Sequence, residues 1–219
     1  MSAAAAHGAF HRNSPLFGRV LSRLPNGTAS VALTFDDGPN PEATPRVLDV
    51  LAREGAVATF FVLGRHAERW PALVSRIARE GHEIGNHGWH HRKLHGSGPR
   101  SVRRDLEMGT AAITAAAGVR PAWFRAPHGF RSPWVTTIAA SLGQRTVGWT
   151  LGVHDTDRPG VAEIERRTLN GARPGAIILL HDGDGYDPDG DRLQTADALP
   201  GILAGLRARG LGLARLPRA

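Results

Sequence analysis

Short apolar runs alternate with amphipathic segments along most of the 219-residue chain. Apolar runs of strand length that are bounded by turn residues are typical of buried strands, whereas longer segments with apolar positions on one face are typical of helices. The pattern predicts strands near residues 31–35, 58–63, 83–86, 123–125, 145–149, 176–180 and 212–215.

Helical segments are predicted between these strands. In "TPRVLDVLAREG", Thr44 is the expected N-cap, Pro45 the first helical residue and Gly55 the stop. The segment "WPALVSRIAREG" repeats the arrangement, with Pro71 at its start and Gly81 at its end. The other predicted helices span residues 101–117, 132–143, 161–169 and 195–209.

This alternation predicts an α/β fold with parallel strands and crossover helices, built either as an open sheet or as a barrel. The length and the 41% hydrophobic content fit a single domain. We expect residues 1–29 to be an N-terminal extension and residues 30–219 to form the main domain. In both architectures, functional groups collect at the carboxyl ends of the strands.

The composition restricts the possible chemistry and partners. The chain has no cysteine, so any metal must be held by His, Asp or Glu. The net charge is +7, but the arginines are scattered and no basic run is interleaved with aromatics, which argues against nucleic acid. We expect a monomer with no membrane segment and no secretory signal, located in the cytoplasm or exported by a trimmed or unrecognised route.

Two strand ends carry candidate metal ligands. The apolar run in "VALTFDDGPN" ends in Asp36 and Asp37, and the chain then turns at Gly38 and Pro39. The strand at 83–86 runs into "GNHGWHH", which places His87 and His91 four residues apart. A helical turn there would direct both imidazoles toward one ion, and a carboxylate with two histidines is a common three-ligand site.

Two further strand ends carry groups suited to hydrolysis. Arg125 in "FRAPHGF" lies where it can keep a carboxylate ionised, and the turn after it leaves backbone N–H groups for an oxyanion. His181 in "AIILLHDG" is a candidate general acid, although a buried structural histidine is the commoner case.

These motifs resemble those of the polysaccharide deacetylases, carbohydrate esterase family 4. "TFDDGP", "HGWHH", "FRAPHG" and "LLH" occur in the family's order, and the resemblance covers residues 29–219. It implies a distorted barrel of seven β/α units. It also implies a metal-dependent hydrolase that removes N-acetyl groups from N-acetylhexosamine-containing glycans, such as chitin oligomers or peptidoglycan.

The resemblance assigns roles residue by residue. It implies that Asp37, His87 and His91 bind one divalent metal, with zinc favoured over cobalt or nickel. It implies that Asp36 is the general base, that Arg125 orients Asp36 and that His181 protonates the leaving amine. Further roles fall on Asp155 as the residue that orients His181, with Asp157 as its rival, and on His128, Leu179 and Trp149 as substrate-binding residues.

Three positions depart from the family's pattern. Gly88 replaces the usual Ser or Thr after the first histidine, which removes a hydroxyl from beside the metal site. His128 replaces the usual tyrosine, a change that is harmless if the backbone N–H binds the oxyanion. Thr156 follows Asp155 where the family has tryptophan, and Trp149 suits a core position as well as a sugar contact.

Two other functions remain open at this stage. One is hydrolysis of a small cytosolic amide by the same fold and metal, and the other is a non-catalytic carbohydrate-binding relic. A serine hydrolase is disfavoured because no G-x-S-x-G occurs, and a P-loop enzyme because the single lysine lies in "HRKLH". The segment "HDGDGYDPDGDR" lacks the terminal glutamate of a calcium loop and is interpreted as an active-site loop.

Overall fold

A parallel β-sheet forms the centre of the protein in the computed structural model, which describes residues 2–217. The sheet order is β5-β4-β3-β2-β1-β7-β6, and β8 pairs with the start of β1. The strands are β1 (Ser30–Asp36), β2 (Thr59–Val62), β3 (Glu83–Asn86), β4 (Trp123–Phe124), β5 (Arg145–Thr146), β6 (Leu151–Gly152), β7 (Ile177–His181) and β8 (Gly212–Leu213).

Helices connect the strands, as parallel pairing requires. They are α1 (Ala3–Phe10), α2 (Ala43–Arg53), α3 (Gly64–Arg69), α4 (Pro71–Arg79), α5 (Pro99–Ala117), α6 (Val135–Ser141), α7 (Val161–Gly171) and α8 (Leu193–Ala208). The sheet curls into a single-domain α/β half-barrel, which confirms the predicted distorted (β/α)7 barrel. Within residues 2–217, no helix is both long enough and apolar enough to cross a membrane.

Apolar residues cover both faces of the sheet. On the helix side, Val31, Leu33 and Phe35 of β1 join a cluster with α2 and α8. On the inner side, the opposite residues of the strands pack with Trp123 and Val147. Strands that are buried on both faces have nearly continuous apolar sequences, as β1 does. Because β1 is packed on both sides, the polar residues at its carboxyl end have a fixed position.

The N-terminal segment spans the gap between the two edges of the curled sheet. Leu21 forms a parallel bridge with Val147, just after β5, and Arg23 forms an antiparallel bridge with Ala176, just before β7. The Leu24 N–H also donates to the Gly175 carbonyl at 2.9 Å. Residues 21–24 therefore link strands that do not pair with each other directly.

The predicted start of α2 was wrong by two residues. Helix α2 begins at Ala43, so Thr44 and Pro45 lie inside its first turn. The Asn40 side chain accepts from the Ala43 N–H at 2.8 Å and takes the capping role. The Thr44 hydroxyl instead donates to Asp182 Oδ2 at 2.5 Å.

The predicted strand at 145–149 was also wrong in extent, because the strand stops at Thr146. The Gly148 N–H donates to Leu21 of the N-terminal segment at 2.9 Å, and the chain then bends. It forms the two-residue strand β6 instead, which is too short to show an alternating pattern. Helices α1 and α3 were not predicted, since an alanine run and a six-residue helix give no clear apolar stripe.

Candidate active site

Asp36 and Asp37 lie at the carboxyl end of β1, in the middle of the sheet. Asp36 is in register with His181 of β7, so the two side chains come from neighbouring strands. Asp37 leaves the strand with a φ of 71°, in the left-handed region. Its side chain therefore points in a different direction from that of Asp36, and the two carboxylates have different partners.

Asp36 forms a buried ion pair with Arg125. The Arg125 Nη1 donates to Asp36 Oδ1 at 2.7 Å and to Thr34 Oγ1 at 2.9 Å. Its Nη2 donates to the Gly148 carbonyl at 2.9 Å, and the guanidinium lies 4.1 Å from the Phe61 ring centre. A guanidinium that is fully buried and held on several sides fixes one oxygen of Asp36. The other oxygen, Oδ2, is left to face the cleft.

Asp37, His87 and His91 form a buried group that can hold a metal ion. Candidate ligand atoms of the three residues lie within 4.8 Å of one another. The Asp37 Oδ1 is 3.2 Å from His87 Nε2 and 3.1 Å from His91 Nε2. These distances place one carboxylate oxygen and two imidazole nitrogens around a common point.

The hydrogen bonds around this group fit a cation. The His87 Nδ1 donates to the Arg125 carbonyl at 2.8 Å, so its Nε2 carries a lone pair. The buried Asp37 Oδ1 has no hydrogen-bond donor among the described residues. Lone pairs converging on one space without a donor between them suit a divalent metal.

The protonation states of Asp37 and His91 also suit metal binding. Burial opposes ionisation of Asp37, but its close contacts with His87 and His91 hold the pKa of its carboxyl well below the usual range. Burial lowers the pKa of His91 to about 3. An ionised carboxylate beside a neutral imidazole is the protonation state that metal binding requires.

The loop from His87 to His91 is not helical, so the helical turn considered from the sequence was wrong. Gly88 has a φ of 81° and His91 a φ of 56°. The Asn86 side chain accepts from the Gly88 N–H at 2.8 Å. Both imidazoles still reach Asp37, because the loop bends around the carboxylate of Asp105.

Asp105 projects from α5 into the centre of this loop and is buried. Its Oδ2 accepts from the Trp89 N–H at 3.0 Å, and its Oδ1 contacts His90 Nδ1 at 2.9 Å. A β-carbon added at Gly88 would lie 2.5 Å from Asp105 Oδ2. The carboxylate thus fills the space beside Gly88, and residue 88 has no room for a side chain. Sequence reasoning missed Asp105 because it lies on a helix rather than at a strand end.

His181 is paired with Asp155. The His181 Nδ1 contacts Asp155 Oδ1 at 2.9 Å, and Asp155 Oδ2 accepts from the His181 N–H and the Thr195 hydroxyl, both at 2.8 Å. Asp157 is exposed and has no contact of this kind among the described residues. Burial opposes protonation of His181, but the Asp155 charge outweighs it and raises the pKa of His181 to about 9.

One cleft of about 270 Å³ is lined by Asp36, Asp37, His87, His91 and His181. Leu179, Trp149 and His128 also line this cleft. The remaining lining residues are Thr156 and four residues of the segment interpreted from the sequence as an active-site loop, namely Asp184, Gly185, Tyr186 and Arg192.

The segment interpreted from the sequence as an active-site loop connects β7 with α8 and lies against the cleft. The Arg192 Nη2 donates to Asp184 Oδ2 at 2.5 Å, and Arg65 donates to the Gly185 carbonyl at 2.6 Å. A β-carbon at Gly185 would collide with the His91 ring. The Tyr186 hydroxyl lies 3.0 Å from His128 Nε2. The loop is therefore held directly against the histidine group.

Comparison with known proteins identifies relatives along nearly the whole chain. A family model described as polysaccharide deacetylase matches residues 23–147. A chitooligosaccharide deacetylase of Sinorhizobium fredii is 42% identical over 208 residues, which cover 91% of this chain and 96% of that protein. A peptidoglycan-N-acetylglucosamine deacetylase of Bacillus cereus is 38% identical, with 88% and 89% covered.

Solved structures agree with this relationship. A peptidoglycan N-acetylglucosamine deacetylase bound to 4-naphthalen-1-yl-N-oxidanyl-benzamide superposes with a TM-score of 0.84, at 34% identity, and the match covers 90% of this chain and 91% of that one. A carbohydrate esterase family 4 pseudoenzyme of Bacillus anthracis gives 0.80 at 26% identity, covering 89% and 66%. Sequence, fold and the match of the family model together show that the chain belongs to the polysaccharide deacetylase family of hydrolases.

Proposed function

We propose that the protein is a metal-dependent hydrolase that removes N-acetyl groups from glycans containing N-acetylhexosamine. The observation that carries the proposal is the meeting of an Asp-His-His group, an arginine-held carboxylate and an aspartate-paired histidine in one cleft. Chitooligosaccharides and peptidoglycan are the candidate substrates, because relatives named for each match most of the chain.

The metal would be held by Asp37, His87 and His91. A bound divalent cation supplies Lewis-acid polarisation of the amide carbonyl and of water. The mixed oxygen and nitrogen donor set favours zinc, and it also suits cobalt or nickel. The buried walls of the cleft strengthen electrostatic interactions there, because little water competes with them.

Asp36 is assigned the role of general base. Arg125 holds its Oδ1, and its Oδ2 lies 3.7 Å from His87 Nε2, beside the proposed metal position. A free carboxylate oxygen beside the proposed metal position could accept a proton from an attacking water, which supports the assignment. The ion pair with Arg125 keeps the carboxylate oriented throughout the reaction.

His181 is assigned the role of general acid. With its pKa raised to about 9, the imidazole is protonated at neutral pH. Asp155 occupies Nδ1, so the Nε2 proton is the one available to the leaving amine. An amine is a poor leaving group until it is protonated, which is why amide hydrolysis needs this acid.

Three further residues are assigned to substrate binding. The backbone N–H of His128 would stabilise the oxyanion, and Leu179 would contact the acetyl methyl group. Trp149 lines the same cleft and is half-buried, so one edge of its indole can contact a sugar.

The proposal is tested by measuring acetate released from fully N-acetylated chitotetraose and from peptidoglycan fragments. The zinc-loaded protein is compared with the same protein after chelation and with Asp36→Asn. We expect release only with metal, and a fall in kcat of about 10²- to 10⁴-fold in Asp36→Asn, because a general base contributes about that factor.

The other outcomes separate the alternatives. Release from a small N-acetylated amine but from neither glycan would favour the small-amide hydrolase. Stoichiometric binding of chitotetraose without acetate release by the zinc-loaded protein would favour the non-catalytic relic. Full activity in Asp36→Asn would contradict the assignment of the base.

A further inference from the structure

Five aromatic side chains form a continuous row that begins in the cleft and leads away from it. The row consists of Tyr186, His128, Phe130, His95 and Phe10, and we call it the aromatic strip. Ring centres are 6.2 Å apart between Tyr186 and His128 and 5.7 Å between His128 and Phe130. Phe130 is 5.4 Å from His95 and 5.3 Å from Phe10, and the last two are 4.9 Å apart.

The inner end of the strip belongs to the cleft itself. His128 and Tyr186 both line it, next to the proposed metal ligands. The His91 ring lies 4.6 Å from His128 and 5.2 Å from Tyr186. A molecule that occupies the cleft and extends outward over His128 therefore meets Phe130 next.

The outer end of the strip comes from the N-terminal segment. Phe10 is the last residue of α1, outside the residues 23–147 that match the family model. The neighbouring backbone is fixed in place, since the Arg131 N–H donates to the Ala9 carbonyl at 3.0 Å and Arg131 Nη2 donates to the Ser14 carbonyl at 2.7 Å. Phe10 is thus held against the barrel by a buried arginine.

The strip is open to solvent at both ends. Phe10 is 47% exposed and Tyr186 is 65% exposed, whereas the three rings between them are partly buried. Exposed aromatic side chains that adjoin a cleft are a common feature of binding surfaces.

We propose that the aromatic strip binds additional sugar units of an N-acetylated glycan whose reacting unit lies in the cleft. Pyranose rings present apolar C–H faces that pack on aromatic rings, while their hydroxyl groups can reach the polar atoms of His128 and Tyr186. The inference rests on the proposed function and deepens it, because it makes oligosaccharides the preferred substrates. It also gives the N-terminal segment a part in substrate binding.

A purely structural role would be to fasten α1 to the barrel through Phe10. The two roles predict different behaviour for Phe10→Leu and Phe10→Tyr. Leucine keeps apolar packing but lacks a flat ring, whereas tyrosine keeps the ring. Leu16→Ala is the matched control, since Leu16 is a 53% exposed apolar residue of the same segment outside the strip.

The test measures affinity by calorimetry in zinc-loaded protein carrying Asp36→Asn, which slows turnover of the ligand. Fully N-acetylated chitotetraose is compared with fully N-acetylated chitobiose. We expect Phe10→Leu to weaken binding of the tetrasaccharide about three- to tenfold, the usual worth of one aromatic contact, and to affect the disaccharide less. Phe10→Tyr and Leu16→Ala should both bind the tetrasaccharide as tightly as the parent.

Equal tetrasaccharide affinity in Phe10→Leu and the parent would overturn the proposal, and so would a parent that binds the two ligands equally. Acetate release by the unsubstituted enzyme is measured separately. If chitotetraose binding depends on the Phe10 ring but no acetate is released from any glycan, the proposed reaction fails while the binding strip stands. Failure of the proposed binding by the aromatic strip can therefore be distinguished from failure of the proposed deacetylation.

Discussion

Adjacent carboxylates have different environments here because the backbone turns between them. Asp36 ends the strand in extended geometry and meets Arg125, whereas Asp37 has a left-handed φ and meets two histidines. One carboxylate is fixed by a cation of the protein, and the other is available to a metal. The proposed division of roles between the two aspartates rests on this single change of direction.

The pair of His181 and Asp155 predicts an alkaline limit to activity. The pKa of His181 is raised to about 9, so loss of its proton above that pH should remove the general acid. In Asp155→Asn the carboxylate charge is lost, and the alkaline limb of kcat should move to lower pH by roughly 1 unit or more. The exposed Asp157→Asn is the control, and its pH profile should match that of the unsubstituted enzyme.

The raised pKa of His181 also makes the folding stability fall as the pH rises, in the same direction as the activity. A histidine whose folded pKa exceeds its ordinary value of 6.5 adds stability that is fully present below that pH and lost as the pH rises through about 9. Urea unfolding between these pH values should show this loss in the unsubstituted protein and less of it in Asp155→Asn. An unshifted kinetic limb in Asp155→Asn would contradict the pairing.

Asp105 is predicted to position the histidine loop. Its carboxylate receives the Trp89 N–H and contacts His90, so Asp105→Ala should raise the zinc dissociation constant about 10- to 100-fold, as loss of a supporting group usually does. Zinc titration of chelator-stripped protein measures the change. Glu107→Ala, an exposed acid on the same helix, is the control and should bind zinc normally.

At the scale of elements, the site depends on loops that pack tightly against one another. The loop after β7 is tied to the barrel by hydrogen bonds from Arg65 and Arg192. Its Gly185 lies against the His91 ring so closely that no side chain fits between them. The loop therefore forms one wall of the proposed metal site as well as one wall of the cleft.

Gly185→Ala should damage the site without unfolding the protein. The added methyl group must displace either the loop or His91, and a misplacement of this kind costs on the order of 100-fold in kcat/KM. Steady-state kinetics on chitotetraose provide the measurement. Gly96→Ala is the control, because a β-carbon there meets nothing within 4 Å. Normal kinetics in Gly185→Ala would mean that the loop adjusts freely.

At the scale of the whole molecule, the buried group of candidate metal ligands would connect metal binding with folding. Asp37 follows β1 and the two histidines follow β3, so an ion bound to all three residues would stabilise the folded chain and not the unfolded one. Apolar burial in the sheet and helices supports the fold independently of that ion. The two contributions can be separated by substitution.

Zinc should raise the Tm of the unsubstituted protein but not that of Asp37→Ala. Leu48→Ala is the comparison, since Leu48 is fully buried in the cluster on the helix side of the sheet. Its loss should lower stability by about 2–5 kcal/mol with and without zinc. Differential scanning calorimetry checks both expectations. A zinc shift of equal size in Asp37→Ala would show that the ion binds elsewhere.

Local pattern alone determined the α/β alternation, the single domain and the placing of polar groups at strand ends. These features follow from periodicity and turn residues, which act over a few neighbouring positions. The residues singled out at four strand ends, from Asp36 to His181, were brought together because parallel strands end at one edge of the sheet. Motif order was enough to indicate the family.

Only the tertiary structure decided the features that depend on contacts between distant segments. The carboxylate of Asp105 fills the space beside Gly88, and Phe10 of α1 lies against Phe130. The two-residue strand β6 and the link at Leu21 likewise depend on partners far along the chain. Such contacts leave no periodic signal, because each is fixed by packing between residues that the sequence alone cannot place together.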